Sequence, residues 1–270
     1  AIRGAKRPLV LIGAGANRKE ARRAISEFIG LIGLPFCNTQ MGKGVVDESS
    51  SYFLGTAALS DKDYLHDYIK IADLIVNIGH DVIEKPPFFM EHGGAEVIHI
   101  NYKSAQVDQV YFPQIEVVGD IALSVDALAD ALGSRLDIDL EDFEKVRDNV
   151  KGKIFPLDEE PVFPMRPQNI VSAIRNLMGY HDIIALDNGV YKIWFARNYL
   201  AFQPNTILLD NALATMGAGL PSAMLAAMIH PNRKVMSICG DGGFMMNSQE
   251  IETAVRLNLN LVVLILNDNS

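Results

Sequence analysis

Cysteines and long apolar runs are both scarce in this sequence. Its 270 residues include two cysteines, Cys37 and Cys239, and each stands among apolar residues. We interpret both as small buried residues of a reducing compartment, because a disulfide framework or a zinc site needs more cysteines. No stretch approaches the roughly 20 apolar residues of a membrane span, and residues 1–5 lack the apolar segment of a signal peptide. These absences indicate a cytoplasmic protein with no membrane partner.

Positive charge is also in short supply. The chain has 24 Lys and Arg against 33 Asp and Glu, which gives a net charge of −9. This balance disfavours nucleic acid as a partner, because phosphate backbones attract basic surfaces.

The overall composition is that of an ordinary globular protein. Hydrophobic residues make up 49% and charged residues 21%, which argues against disorder or a fibrous repeat. The length suffices for two domains of ordinary size.

Strand and helix patterns alternate in two blocks of the chain. This alternation predicts the α/β class, with open parallel sheets covered by helices on both faces. In the first block we predict strands at residues 8–12, 34–37, 74–78, 96–100 and 115–118, and helices at 20–29, 64–71 and 124–132. In the second block we predict strands at residues 182–186, 206–209, 234–239 and 261–266, and helices at 168–178, 217–229 and 248–257.

Two domains and a linker follow from these blocks. We assign residues 1–134 to the first domain and 165–270 to the second. Residues 135–164 are acidic at first and then rich in proline, which predicts a linker with a short helix in it. Because the chain stops directly after a strand pattern, we expect it to be part of a longer protein whose second domain is incomplete here.

The glycine turn after the first strand has two interpretations. Gly13-Ala14-Gly15 opens a helix, as a phosphate-binding turn does, but Arg18 stands where the dinucleotide fingerprint has its third glycine. We therefore favour a plain tight turn over an NAD-binding oxidoreductase domain. The six histidines show no spacing typical of a metal site, and we interpret His80 and His92 as structural or surface residues.

A glycine-rich segment at the end of a predicted strand carries more chemistry. Gly240-Asp241-Gly242-Gly243 follows an apolar run, and its glycines would let backbone N–H groups approach a bulky anion. Asn247 and Glu250 fit a capping box, which predicts that a helix begins there with its positive end toward the anion. Asp241 is itself negative, so the segment makes sense mainly if a divalent cation bridges it to the anion.

The next predicted strand supplies a second carboxylate. It ends in Asn267-Asp268-Asn269-Ser270, and adjacent parallel strands would place Asp241 and Asp268 side by side at one sheet edge. Two carboxylates, a loop carbonyl, two phosphate oxygens and a water would give the six oxygen ligands that Mg²⁺ prefers. A glycine turn and a polar strand end explain either piece alone, but not both together.

This pattern resembles a known cofactor-binding motif. Gly240-Asp241-Gly242, then 24 residues, then Asn267-Asp268 is similar to the motif of thiamine-diphosphate-dependent enzymes. The surroundings resemble the acetolactate synthase-like branch of that family. Residues 214–223 resemble its AMGFGLPAA segment, residues 187–194 its diphosphate-side loop before a tryptophan, and the first domain its middle domain.

The resemblance implies a set of binding residues. Asp241 and Asp268 would hold Mg²⁺ through their side chains, and Ser270 through its backbone carbonyl. Met216 would be the apolar wedge beneath the bent cofactor, and the carbonyl of Ala214 would accept a hydrogen bond from the aminopyrimidine. The full set of implied cofactor-binding residues is Asn188, Gly189, Ala214, Met216, Gly240, Asp241, Gly242, Gly243 and Asp268.

The implied reaction is decarboxylation and carboligation of a 2-keto acid, from pyruvate to 2-acetolactate. A related 2-keto acid decarboxylase or oxidase, and a non-catalytic module that keeps the fold, are the alternatives. The family's cofactor lies between two subunits, so the resemblance implies a homodimer or homotetramer, and a regulatory subunit is left open. We assign no catalytic residue in this chain, because the family's activating glutamate belongs to an N-terminal pyrimidine-binding domain.

The chain departs from the family's pattern at several positions. Ala214 stands where a glycine is usual, and Val190-Tyr191 where Gln-His is usual, so the diphosphate contacts on that side are open. FAD-binding members carry Arg-Phe-Asp-Asp where this chain has His80-Asp-Val-Ile-Glu84. FAD binding is therefore left open as well.

Overall fold

The chain divides into two compact units, residues 1–156 and 157–270. The computed structural model describes residues 1–59, 63–80, 84, 90–154, 163–211 and 213–267. Within these residues, no helix is long and apolar enough to cross a membrane. Both cysteines are buried and unpaired, and burial raises the pKa of each thiol, which is typical of the small buried residues that we predicted.

Unit 1 is built on a parallel six-stranded sheet. Its strands are β1 (Pro8–Ile12), β2 (Phe36–Thr39), β3 (Phe53–Ala57), β4 (Leu74–Ile78), β5 (Glu96–Asn101) and β6 (Ile115–Val118). Its helices are α1 (Lys19–Ile32), α2 (Leu65–Ile71), α3 (Ile121–Leu132) and α4 (Glu141–Ile154), with short 3₁₀ turns at Ile2–Gly4, Ala14–Ala16 and Gln40–Gly42. The sheet order is β3-β2-β1-β4-β5-β6, so the order reverses between β1 and β4.

Alternating side chains of β1 pack on opposite faces of this sheet. Val10 and Ile12 belong to a core with the buried faces of α1 and α3, whereas Leu9 and Leu11 belong to a second core with α2 and α4. Burial on both faces explains why the strand is a continuous apolar run in the sequence.

The helix α4 lies inside the segment that we predicted as a linker. Phe143, Val150 and Ile154 are buried in the core of unit 1, and Val146 packs against it. Their spacing places all four side chains on one helix face, but the surrounding acidic residues obscure this stripe in the sequence. Unit 1 therefore continues past residue 134 and includes most of the predicted linker.

Unit 2 is built on a parallel four-stranded sheet. Its strands are β7 (Ile183–Leu186), β8 (Ile207–Leu208), β9 (Val235–Gly240) and β10 (Val262–Leu266), in the order β10-β9-β7-β8. Its helices are α5 (Pro167–Leu177), α6 (Tyr191–Asn198), α7 (Gly219–Ile229), α8 (Asp241–Asn247) and α9 (Glu250–Arg256). Parallel strands in both units confirm the predicted fold class.

Helices cover both faces of the second sheet as well. Ile184 and Leu186 of β7 pack with α5 and α6, whereas Ile183 and Ala185 pack with the alanine-rich face of α7. Strand β3 in unit 1 and helices α6 and α8 in unit 2 were not predicted from the sequence. The predicted helix at residues 248–257 corresponds to α9, and a separate helix, α8, precedes it.

Candidate functional site

The strand order of unit 2 reverses between β7 and β9. The chain passes from β7 to β8 on one side of the sheet and later returns to β9 on the other side of β7. In open α/β sheets, ligands bind beyond the carboxyl ends of the strands at such a reversal. The segments that follow β7, β8 and β9 contain most of the residues that we predicted to bind a cofactor.

One buried carboxylate connects two of these segments. Asp187 comes directly after β7 and is fully buried. Its oxygens accept the backbone N–H groups of Asn188 at 2.7 Å, of Gly217 at 2.8 and 2.9 Å, and of Ala218 at 3.2 Å. The carboxylate therefore lies at the amino end of α7, where the first N–H groups have no partner within the helix.

Two side-chain amides hold the segment that precedes α7. The Nδ2 of Asn188 donates to the carbonyl oxygen of Thr215 at 2.6 Å, and the Nδ2 of Asn247 donates to the carbonyl oxygen of Gly217 at 2.7 Å. Gly217 has a φ of +90°, a conformation that a side chain disfavours. Met216, immediately before it, remains 44% exposed, so its side chain stands at the open end of the sheet.

The glycine-rich segment forms the first turn of a helix, whereas we predicted that a helix begins only at Asn247. Gly240 is the N-cap residue of α8, which begins at Asp241, and Asp241 Oδ1 accepts the N–H of Gly242 at 2.8 Å. The predicted capping box is not formed, because Asn247 ends α8 and bonds elsewhere, while α9 begins at Glu250 without a side-chain cap.

The missing side chains of two glycines leave room for neighbouring groups. A Cβ at Gly243 would overlap with Asp187 Oδ2, and a Cβ at Gly242 would lie 3.2 Å from Met216 Cε. Gly243 is buried, whereas Asp241 and Gly242 are exposed. The exposed carboxylate can bind a cation that bridges to an anion, and the bare backbone can approach that anion closely. The neighbouring apolar side chain can contact an apolar part of the same ligand.

Tyr191 joins the turn after β7 to the end of β9. Its hydroxyl oxygen accepts the N–H of Gly240 at 3.0 Å, and its ring fills the space beside Gly189, where a Cβ would lie 2.5 Å from the ring. Burial raises the pKa of Tyr191. The hydroxyl therefore keeps its proton at neutral pH and can also donate a hydrogen bond.

The structure places the predicted binding residues within the described part of the chain at one end of the second sheet. Asn188 and Gly189 follow β7, Ala214 and Met216 precede α7, and Gly240, Asp241, Gly242 and Gly243 lie at the end of β9 and the start of α8. Strand β10 pairs with β9 in parallel, with Leu266 opposite Gly240, which is the strand neighbourhood that we predicted.

The second half of the predicted metal site lies outside the described residues. Asp268 and Ser270 are not among the described residues, so their role as Mg²⁺ ligands stays a prediction. In the part of the chain that the structure describes, no group of three His, Cys, Asp or Glu side chains is placed to hold a metal ion.

The glycine turn of unit 1 is occupied by internal hydrogen bonds. The N–H groups of Gly13 and Gly15 donate to the carbonyl oxygens of Ile78 and Gly79 at 2.8 and 2.9 Å. The N–H of Ala14 donates to the carboxylate of Glu84 at 2.8 Å. A phosphate at this turn would meet a like charge, so the structure supports the tight turn over a nucleotide site.

Sequence reasoning assigned no individual role to Asp187 or Tyr191, and it assigned Asn247 a helix-capping role that this residue does not have in the structure. Each of these side chains bonds to the backbone of a segment far away in the sequence, and no local pattern indicates such a bond. The position of Asp187 directly after a buried strand was the one feature that could have marked it.

Comparisons with known proteins match both units. A family model described as the central domain of thiamine pyrophosphate enzymes matches residues 1–128, and one described as their C-terminal TPP binding domain matches residues 187–270. The chain is 34% identical to the catabolic acetolactate synthase of Raoultella terrigena, over 100% of this chain and 49% of that protein. It is 32% identical to an acetolactate synthase of Bacillus subtilis, over 100% of this chain and 48% of that protein. The chain thus spans about half the length of the curated relatives it matches.

Proposed function

The chain belongs to the thiamine pyrophosphate enzyme family, and we propose that it binds thiamine diphosphate through Mg²⁺ beyond the ends of β7 and β9. The observation that carries this proposal is the position of the exposed Asp241 and Gly242 beside Met216 at the strand reversal of unit 2. A carboxylate, bare backbone and an apolar side chain are together suited to a metal-bridged diphosphate attached to an organic ring system.

Different residues of this chain would bind different parts of the cofactor. Asp241, together with Asp268 and the carbonyl of Ser270, would hold Mg²⁺, and the backbone at Gly242 and at Asn188-Gly189 would face the diphosphate. Met216 would support the rings from below, because its thioether is polarizable and adapts its shape. Bound there, the cofactor would supply a nucleophilic carbon and an electron sink for decarboxylation of a 2-keto acid.

The proposed reaction is that of an acetolactate synthase, from pyruvate to 2-acetolactate. The similarity to two acetolactate synthases supports this choice. The other candidate is a 2-keto acid decarboxylase or oxidase of the same family. We propose a cytoplasmic homodimer or homotetramer with a small 2-keto acid as substrate. Since Glu84 places a carboxylate at the glycine turn of unit 1, we also propose that this turn holds no flavin phosphate.

The metal bridge is tested by the variant Asp241→Asn in the full-length protein. We expect calorimetry to detect thiamine diphosphate binding to the wild type with Mg²⁺ and none with a chelator. Asp241→Asn keeps the shape of the side chain but removes its charge. Loss of a residue that only supports a metal ligand typically lowers metal affinity by roughly 10–100-fold. Because Asp241 is itself a proposed ligand, the affinity of the variant for thiamine diphosphate should fall by more than this. Glu252→Gln, an exposed charge on α9, is the matched control and should bind like the wild type. Equal wild-type binding with and without chelator would contradict the metal bridge.

The reaction is tested by the product formed from pyruvate. An acetolactate synthase should yield a product that becomes acetoin on acid treatment, because 2-acetolactate decarboxylates in acid. Asp241→Asn should abolish it, and Glu252→Gln should not. Acetaldehyde as the sole product would favour the decarboxylase. No product from pyruvate would reject the acetolactate synthase and any decarboxylase or oxidase that acts on pyruvate.

A further inference from the structure

A lysine ammonium group is buried behind the turn that follows β7. Lys192 lies in the first turn of α6 and is 8% exposed. Its Nζ donates to Asn188 Oδ1 at 2.9 Å, to the backbone carbonyl oxygen of Asp210, and to Asn211 Oδ1 at 3.4 Å. The ammonium group therefore connects the turn after β7 with the segment after β8.

The acceptors of this lysine are uncharged. All three described partners of Nζ are amide or carbonyl oxygens, so none of them cancels the positive charge by direct contact. The carboxylate of Asp210, whose residue is exposed, favours the charge from a distance, while burial lowers the pKa of Lys192. Burying an ammonium group without a carboxylate partner is unfavourable, and a surface lysine would avoid that penalty.

The location of the charge indicates what it does. Asn188, which accepts from Nζ, is also the residue whose Nδ2 holds the carbonyl of Thr215, and its turn is one that we propose to face the diphosphate. Two carboxylates, those of Asp187 and Asp241, lie at the same end of the sheet. Positive charge that is fixed in the protein would therefore favour an anionic ligand there, in addition to the charge of the proposed Mg²⁺.

We propose that Lys192 is a positioning residue that holds the Asn188-Gly189 turn and provides fixed positive charge behind it, so that the site favours ligands with more phosphate charge. The inference rests on the proposed function, because it concerns the same site. The ammonium group acts through the turn and through its field and does not contact the diphosphate.

The test removes the charge and compares two ligands that differ only in phosphate number. Lys192→Met keeps an unbranched side chain of similar length, and Lys192→Gln keeps a hydrogen-bond donor but no charge. Lys234→Met is the matched control, because Lys234 is exposed and precedes the amino end of β9. Binding of thiamine diphosphate and thiamine monophosphate is measured by calorimetry with Mg²⁺, on full-length proteins whose folding is checked by thermal melting.

We expect both Lys192 variants to weaken thiamine diphosphate binding on the order of 10-fold, the effect of one partly screened charge at short range. Thiamine monophosphate should lose less affinity, since it carries less charge, and Lys234→Met should leave both affinities unchanged.

An unchanged diphosphate affinity in a folded Lys192 variant would overturn the inference. So would an equal loss for both ligands, because a purely structural clip would weaken both alike. If the wild type binds neither ligand, the proposed function itself fails. If Lys192→Met does not fold, Lys192→Gln decides by the same criteria.

Discussion

Asp187 is the side chain on which the geometry of the site depends most. It is buried without a cationic partner among its described hydrogen bonds, yet its two oxygens accept N–H groups from the turn after β7 and from the start of α7. Gly243 of α8 packs directly against Asp187 Oδ2. A single carboxylate thus touches all three segments that we propose to hold the cofactor, and it fixes their spacing before any ligand arrives.

The variant Asp187→Asn tests this role. It replaces one acceptor oxygen by an NH₂ group, which would face a backbone N–H or the packed Gly243. Leaving one buried donor unsatisfied should lower the free energy of unfolding by about 1–3 kcal/mol. Urea unfolding measures the loss, with Glu252→Gln as the exposed control that should change it by less than about 0.5 kcal/mol. A variant as stable as the wild type would show that the carboxylate does not organise the site.

At the scale of single residues, sequence reasoning finds the exposed groups and misses the buried polar ones. Asp241 and Met216 were identified because a motif carries them. Asp187 and Lys192 were not, because a polar residue in a sequence pattern is taken as exposed. Their burial depends on partners distant in the chain, such as Gly217 and Asp210, and that pairing exists only in the folded unit.

At the scale of elements, apolar runs predicted the buried strands well. Strands β1 and β4 are buried along their whole length and have the predicted bounds, because parallel strands covered on both faces need continuous apolar residues. Strand β6 also has the predicted bounds, although all four of its residues are exposed. Helix α6 was missed because its buried side includes Lys192 and Asn198, which interrupt an apolar stripe. Strand β3 was missed because Gly55 and Thr56 break its apolar run.

The glycine-rich start of α8 shows tertiary packing overriding helix propensity. Glycine disfavours helices by up to about 1 kcal/mol per residue, so a loop was the reasonable prediction for residues 240–243. In the structure, the helix begins at Asp241, and Gly243 must lack a side chain because Asp187 occupies that space. The close approach of α8 to Asp187, which requires a glycine at position 243, cannot be deduced from local preferences.

At the scale of the whole molecule, each unit is a parallel sheet with one reversal of strand order, but the residues at the two reversals differ. In unit 1 the reversal between β1 and β4 is filled by Glu84 and by internal hydrogen bonds. In unit 2 the reversal between β7 and β9 presents Asp241, Gly242 and Met216 to solvent. The net charge of −9 does not attract an anion to the chain as a whole. Binding of an anion at one reversal and not at the other therefore depends on the residues at each reversal.

Hydrogen exchange with bound cofactor should therefore separate the two units. Each unit has its own buried cores, so local opening of one need not involve the other. Some backbone amides exchange only when the segments that bind the cofactor open. With thiamine diphosphate and Mg²⁺ at about 100 times Kd, the exchange of these amides should slow by up to about 100-fold. The protection should appear in peptides covering residues 187–190, 214–218 and 240–248, and not in those covering residues 13–16.

The variant Asp241→Asn supplies the control for this measurement, because without the metal bridge the same ligand concentration should protect neither unit. Protection of residues 13–16 in the wild type would contradict the assignment of the site to unit 2. Protection of residues 240–248 alone would contradict the link through Asp187, since a carboxylate that connects three segments should transmit stabilisation of one of them to the other two.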